Sequence, residues 1–370
     1  MRMRIAQLLE NAEMVNDPRR DYGNKRHSFV AILLIGLLTY ICGGKDFTQM
    51  EELGKTKIAW LSGFLDFPNG TPDSDTFRRV FERVDPRELA RCLEESVCDA
   101  REDIKYVAID GKTLRGSGNC EHSPYHVVSA WAREHGITLG QVAVDEKSNE
   151  ITAIPLLLDM LDISGAVVTI DAMGCQKEIA AKIVGKDAGY CLALKGNHKN
   201  LHKQAMSAFR DVDGGARDAC LDEFAFESNG HGRIEKRVIT VISASAFAGS
   251  ADWAGLTSIV RCRHINNTSG SETVTDRFFL TSLPANARRL GGIIRGHWSI
   301  ENGLHWMLDV VFEEDSSHAR KDNSPLNLNI LKKTALSLLL RMKGKRESLS
   351  RLMFRAAMDT DFLELVAFRR

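Results

Sequence analysis

The chain has 370 residues, 44% hydrophobic and 26% charged, with 49 basic residues against 49 acidic ones. That length holds two or three cores, or one core with a large insertion, and the composition is that of an ordinary soluble globular protein. The neutral balance neither supports nor excludes a nucleic-acid partner; residues 320–370 do carry 12 Lys/Arg against 5 Asp/Glu, a bias that a solvated helix face explains.

Residues 1–103 show helical periodicity and turn signals but no strand. No signal-peptide stretch opens the chain. The run from Val30 to Cys42 is too short to span a bilayer and stops at Gly43-Gly44, so it predicts a buried helix. In PNGTPDSDTFRRVFERVDP, Asp73 or Ser74 caps an amphipathic helix that stops before Pro86, and Pro86 opens the next one. The eight cysteines are scattered with no Cys-x-x-Cys pair, which removes zinc-ribbon and redox motifs and fits a reducing cytosol. A cytoplasmic protein with no membrane contact is expected.

From residue 104 the pattern changes. YVAID is a strand; YHVVSAWARE and ITLGQVAVD form an antiparallel hairpin about His135-Gly136. EITAIPLLLDMLD is helical, GAVVTID a strand, CQKEIAAKIVGK a helix ending at Gly185, and YCLALKG a further strand. Three antiparallel strands followed by alternating helix and strand make a mixed α/β sheet in the order of a ribonuclease-H-like core. A β-rich insertion is expected over about 200–285, then a helix across NARRLGGIIRGHWSIENGLHWMLDVVF and an amphipathic helix, NLNILKKTALSLLLRMK, ending near Gly344. The fold class is therefore α/β: a ribonuclease-H-like mixed sheet with a β-rich insertion, preceded by an all-α N-terminal domain, with domains at 1–103 and 104–370.

The stretch VAIDGKTLRGS, residues 107–117, poses the question of which charge acts. A P-loop needs a glycine five places before the glycine of Gly-Lys-Thr, and that place is Tyr106, inside the strand. The candidate is then Asp110. Asp110 and Asp171 each close a strand after four apolar residues; if those strands are parallel neighbours, both carboxylates emerge at one edge. Two acids there repel unless a hard cation such as Mg²⁺ lies between them. With a third acid, two ions roughly 3.5–4 Å apart can clamp an in-line phosphoryl displacement. Glu301 is the candidate third acid, with Asp309, Glu313, Glu314 and Asp315 as rivals on the same segment. On a continuous helix, His297, Glu301 and His305 share a face, and Arg295 lies near enough to reach a phosphate. Lys112, Arg115, Lys195 and Lys199 either line a phosphate path or are solvated loop cations; a strand-ending Asp-Gly is also a common turn.

Together AIDGKTLRGS, IDAMGCQKEIA, ALKGNH, HGRIEKR and RGHWSIENGLHWMLDVVFEED resemble the DDE transposases of the insertion-sequence-four superfamily, in the branch that includes the H-repeat-associated proteins. DPRRDYGNKRH and FPNGTPDSDTFRRVFERVDP resemble the domain that precedes the catalytic core there. The resemblance implies Mg²⁺-dependent DNA cleavage and strand transfer at terminal inverted repeats, with Asp110, Asp171 and Glu301 as catalytic and metal-binding acids. It implies two Mg²⁺ ions, with Mn²⁺ able to substitute, double-stranded DNA as partner and a homodimer as working unit. Lys112, Arg115, Lys195, Arg295 and His297 are the DNA-contact candidates. The superfamily pattern around its glutamate has tyrosine seven before, arginine four before and lysine seven after; here these are Ile294, His297 and Leu308. The rival readings are a transposase-derived DNA-binding protein without catalysis, a ribonuclease-H-like nuclease, and a zinc hydrolase using His297 and His305.

Overall fold

The computed structural model describes residues 2–20, 25–97, 104–118, 123–144, 150–230, 233–245, 247–268, 271–344 and 346–368. Helices α1 (Arg2–Glu13), α2 (Phe29–Ile41), α3 (Phe47–Thr56), α4 (Ile58–Leu61), α5 (Ser74–Arg83) and α6 (Pro86–Val97) come first. Strands β1 (Tyr106–Thr113), β2 (His126–Ala132) and β3 (Ile137–Val144) follow, then α7 (Glu150–Met160), β4 (Val167–Ile170), α8 (Lys177–Val184) and β5 (Gly189–Leu194). Next come α9 (Lys199–Asp213), the long strands β6 (Cys220–Gly230), β7 (Arg233–Ser243), β8 (Ser258–Thr268) and β9 (Ser271–Thr281), and α10 (Ala287–His297). The chain closes with α11 (Trp306–Val310), α12 (Ser324–Arg341), α13 (Leu349–Met358) and α14 (Thr360–Phe368). Among the described residues no helix is long and apolar enough to cross a membrane.

The chain divides into two compact units. One comprises residues 1–103, 111–147 and 301–370; the other comprises 104–110 and 148–300. Strand β1 begins in the second and ends in the first. The strands follow the order β3-β2-β1-β4-β5-β9-β8-β7-β6.

In the first unit, α2 is buried nearly all round, as its apolar run predicts. A Cβ on Gly36 would lie 2.7 Å from the Phe81 ring, so glycine there lets α2 meet α5. Asp73 caps α5 by accepting from the Thr76 amide. The α5 C-terminus is closed from α12, where the buried Asn327 donates to the Phe81 and Val84 carbonyls at 2.8 and 2.9 Å. Helix α12 corrects the amphipathic reading: it is buried from Ser324 to Leu339, Lys332 and Lys333 included. Those two lysines therefore do not belong to a solvated basic face: Lys333 is hydrogen-bonded to Ser129 and Gln141, Lys332 lies over the Tyr40 ring, and both feel the Glu314 charge.

In the second unit β1, β4 and β5 run parallel, β9 pairs antiparallel with β5, and β9, β8, β7 and β6 form a meander. Together with the antiparallel β2–β3 hairpin, these are the strand order and directions of a ribonuclease-H-like sheet. The β-rich segment departs from expectation at its start, since residues 199–213 form α9 and the strands begin at Cys220. Its moment is helical: Leu201, Ala205, Phe209 and Val212 recur at three- and four-residue steps and are all buried. Helix α10 seats Leu290, Ile293 and Ile294 with Ile239 and Val241 of β7, each such burial worth roughly 1.5–3 kcal/mol.

Candidate active site

Ile109 of β1 and Ile170 of β4 are partners in the parallel register. Asp110 and Asp171 follow that pair. Asp171 comes just after the last residue of β4, but Asp110 lies within β1, which runs on to Thr113 and does not close at the acid as the sequence predicts. The two acids stand side by side on neighbouring strands, which lie about 4.8 Å apart. The turn after β4 fixes the second acid. Asp171 Oδ1 accepts from the amides of Met173 at 2.9 Å and Gly174 at 3.4 Å, an Asx-type turn. A Cβ on Gly174 would stand 2.3 Å from Ile170 Cγ2, so only glycine lets the chain fold back this tightly.

His297, the last residue of α10, docks on the same strand. Its Nδ1 is 3.0 Å from Thr169 Oγ1, and that hydroxyl points at the Val107 carbonyl 3.4 Å away. Thr169 thus donates to the carbonyl and accepts from Nδ1–H, which leaves Nε2 as the acceptor nitrogen. Burial holds the imidazole pKa below its ordinary value, against the opposing pull of the Asp171 charge. The ring is neutral and half-buried, and it ties α10 to the strand that carries Asp171.

Glu301 is the first residue of the other unit. The expected continuous helix is interrupted: α10 ends at His297, and Glu301–His305 form a π-helical turn before α11. π turns recur at functional sites. The Glu301 side chain is 52% exposed, with His305 Nδ1 3.8 Å from its carboxylate. His305 is buried, and burial, with Lys333 and Lys112 nearby, pushes its pKa down to about 3.

The rival acids on this segment are otherwise engaged. Lys112 Nζ lies 2.7 Å from Asp309, 3.1 Å from Glu314 and 3.7 Å from Asp315, and its side chain is only 11% exposed. Glu313 pairs with Lys45. Among the described residues Glu301 alone of the five has no lysine or arginine partner. Glu314 is the hub: burial would raise its pKa, but Lys332, Lys112, a 2.8 Å bond from Asn329 and Lys333 outweigh burial and lower it. Lys333, also buried, donates to Ser129 and Gln141 at 2.7 and 2.6 Å.

The other basic candidates spread out. Arg115 is exposed with one long contact to Asp315, at 3.8 Å. Lys195 is exposed just past β5, and Arg295 is exposed on α10. The buried cluster of Glu314, Asn329, Lys332 and Lys333 was missed in the sequence, where NLNILKKTALSLLLRMK reads as an amphipathic helix with its lysines in solvent.

A mixed sheet of this order, with an acid on its first strand beside an acid just past its fourth, is the arrangement of the ribonuclease-H-like proteins. The family model described as "Transposase DDE domain" matches residues 101–338, and the one described as "DDE_Tnp_1-associated" matches residues 9–96. The chain belongs to the DDE transposase family. It is 35% identical to the transposase-named YncI of Escherichia coli O157:H7, over 98% of this chain and 95% of that one. It is 34% identical to the H repeat-associated YhhI of E. coli K12, over 98% of each. A shorter relative, "Inactive transposase YbfQ" of K12, is 31% identical over 21% of this chain and 92% of its own. Among solved structures, the piggyBac transposase synaptic complex with hairpin DNA gives a TM-score of 0.43 at 9% identity, covering 98% of this chain and 78% of that one. The family implies use of a divalent metal.

Proposed function

We propose that the protein is an active transposase that cleaves DNA at the terminal inverted repeats of its element and transfers the strand, with Asp110, Asp171 and Glu301 as its three acids. The observation that carries this is the Ile109–Ile170 register, which sets Asp110, within β1, beside Asp171, just past the end of the parallel strand β4. The salt bridges of Asp309, Glu313, Glu314 and Asp315 support Glu301 as the third.

The donor set is all carboxylate oxygen, which suits a hard ion such as Mg²⁺, or Mn²⁺ in its place. Bound there, a divalent pair supplies an activated water or 3′-hydroxyl and stabilisation of the leaving 3′-oxygen. The protein's part is placement. The turn bonds to Asp171 aim its carboxylate, Thr169 and His297 hold α10 against β4, and arginines near the site position phosphates without reading sequence. Two ends are cut together by a homodimer on double-stranded DNA.

The test incubates purified protein with Mg²⁺ and a duplex carrying the inverted repeat that flanks its own gene. Asp110→Asn should cut at less than about a hundredth of the unaltered rate, several kcal/mol of lost transition-state stabilisation, while still binding the duplex. Mg²⁺-dependent cleavage that persists in Asp110→Asn would sink the assignment. Binding without cleavage in the unaltered protein would mark a DNA-binding protein that has lost its chemistry.

A further inference from the structure

Helix α10 has a solvent face of unusual composition. Its buried positions are Ala287, Leu290, Gly291, Ile293, Ile294 and Gly296. Its exposed ones are Arg288, Arg289, Gly292 and Arg295, and no acid occurs anywhere in the helix. At 100° per residue these four positions fall within roughly a third of the helix circumference.

The two adjacent glycines have different explanations. A Cβ on Gly291 would come within 2.9 Å of Ile239, so packing on the sheet demands glycine there. A Cβ on Gly292 would meet nothing within 4 Å among the described residues. Glycine inside a helix costs about 1 kcal/mol relative to alanine. Its effect is to keep the centre of the arginine stripe low.

The arginines are held ready. The Arg288 guanidinium sits 5.4 Å from the Phe224 ring centroid, and that of Arg277, exposed on β9, sits 5.2 Å from the Trp298 ring. A guanidinium stacked on a ring keeps its N–H edges turned outward. Elsewhere in this unit, Arg237, Arg261 and Arg263 are each paired with a carboxylate. Among the described residues, Arg277, Arg288, Arg289 and Arg295 are not. The acid at the helix start, Asp222, is occupied by the Ala287 amide at 2.7 Å.

We propose that this face of α10, with Arg277 beside it, is a track for the phosphate backbone of double-stranded DNA, on the helix that ends four residues before Glu301. Charge complementarity selects the occupant: four arginines with no carboxylate partner among the described residues suit a polymer of regularly spaced anions. Arg288 to Arg295 spans roughly 10 Å along the helix axis, about three steps of one DNA strand. The proposal rests on the reading of the chain as a DNA transposase and names the surface that reading lacks.

The experiment measures affinity of the full chain for the inverted-repeat duplex by fluorescence anisotropy, without divalent metal, across a salt series. Arg288→Ala and Arg289→Ala should each weaken binding and reduce the slope of log affinity against log salt by about one. Gly292→Asp, which removes no native side chain but sets a carboxylate in the stripe, should weaken it as well. Arg351→Ala, exposed on α13, should leave both quantities unchanged. Should Gly292→Asp fail to fold, as judged by circular dichroism, the exposed Arg289→Ala still decides. Slopes of the α10 variants that coincide with that of the unaltered protein would overturn the track alone, as would an equal fall in Arg351→Ala. Failure of the unaltered protein to bind DNA would overturn the functional reading together with the track.

Discussion

Replacing Lys112 with methionine should unfold the first unit far more readily than loss of an ordinary lysine does. Lys112 is 11% exposed and faces Asp309, Glu314 and Asp315. Burial alone would lower its pKa, but the carboxylates, Glu314 foremost, raise it, so it is charged throughout the neutral range. Removing one partner of a buried ion pair costs about 3–5 kcal/mol, because the other charge stays behind. Asn329, Lys332 and Lys333 still face Glu314, which places the loss at the lower end, about 3 kcal/mol. With a urea slope of about 2–3 kcal/mol per molar, the midpoint falls by about 1 M, read by tryptophan fluorescence. Glu314→Gln in the Lys112→Met background should then cost less than it does alone, a coupling of at least about 1 kcal/mol. A Lys112→Met variant within about 1 kcal/mol of the unaltered protein would refute this reasoning, and so would two losses that simply add.

Lys333 sets a pH dependence. Burial pushes its pKa down to about 7 in the folded protein, against about 10.4 when unfolded. Above pH 7 the unfolded chain therefore holds a proton that the folded one lacks, and stability rises with pH by up to about 1.4 kcal/mol per unit. Denaturant titrations between pH 7 and 8.5 should show that rise, and Lys333→Met should flatten it; an equal slope in both proteins contradicts the assignment. Gly174→Ala should cost about 1–3 kcal/mol through the collision with Ile170 and depress cleavage beyond what the stability loss explains. Cleavage at the unaltered rate, per folded molecule, would show that the turn does not aim Asp171.

Much of this architecture is written in local patterns. The β2–β3 hairpin, the α8 helix stopping at Gly185 and the Asp73 cap of α5 all depend on neighbours in sequence, and they are where periodicity and turn chemistry put them. The two aspartates stood out in the sequence because each follows an apolar run, although only Asp171 follows the end of its strand and β1 continues past Asp110 to Thr113. What escaped depends on distant partners. Lys332 and Lys333 look solvated until Glu314, Ser129 and Gln141 close around them. The role of Lys112 is equally hidden, because its three carboxylates lie some 200 residues away. The π turn at Glu301–His305 is a change in hydrogen-bond spacing that no side-chain pattern announces. The α9 helix is a different failure, because its apolar spacing was present and the strands after it dominated the reading.

The central claim is that Glu301, rather than another acid of its segment, completes the catalytic set. The most direct measurement compares DNA cleavage by Glu301→Gln and Glu313→Gln under identical Mg²⁺ conditions, since each removes one carboxylate charge from the same stretch of chain. The account predicts that Glu301→Gln binds the inverted-repeat duplex but does not cut it, while Glu313→Gln cuts normally. Cleavage by Glu301→Gln at the unaltered rate would contradict it.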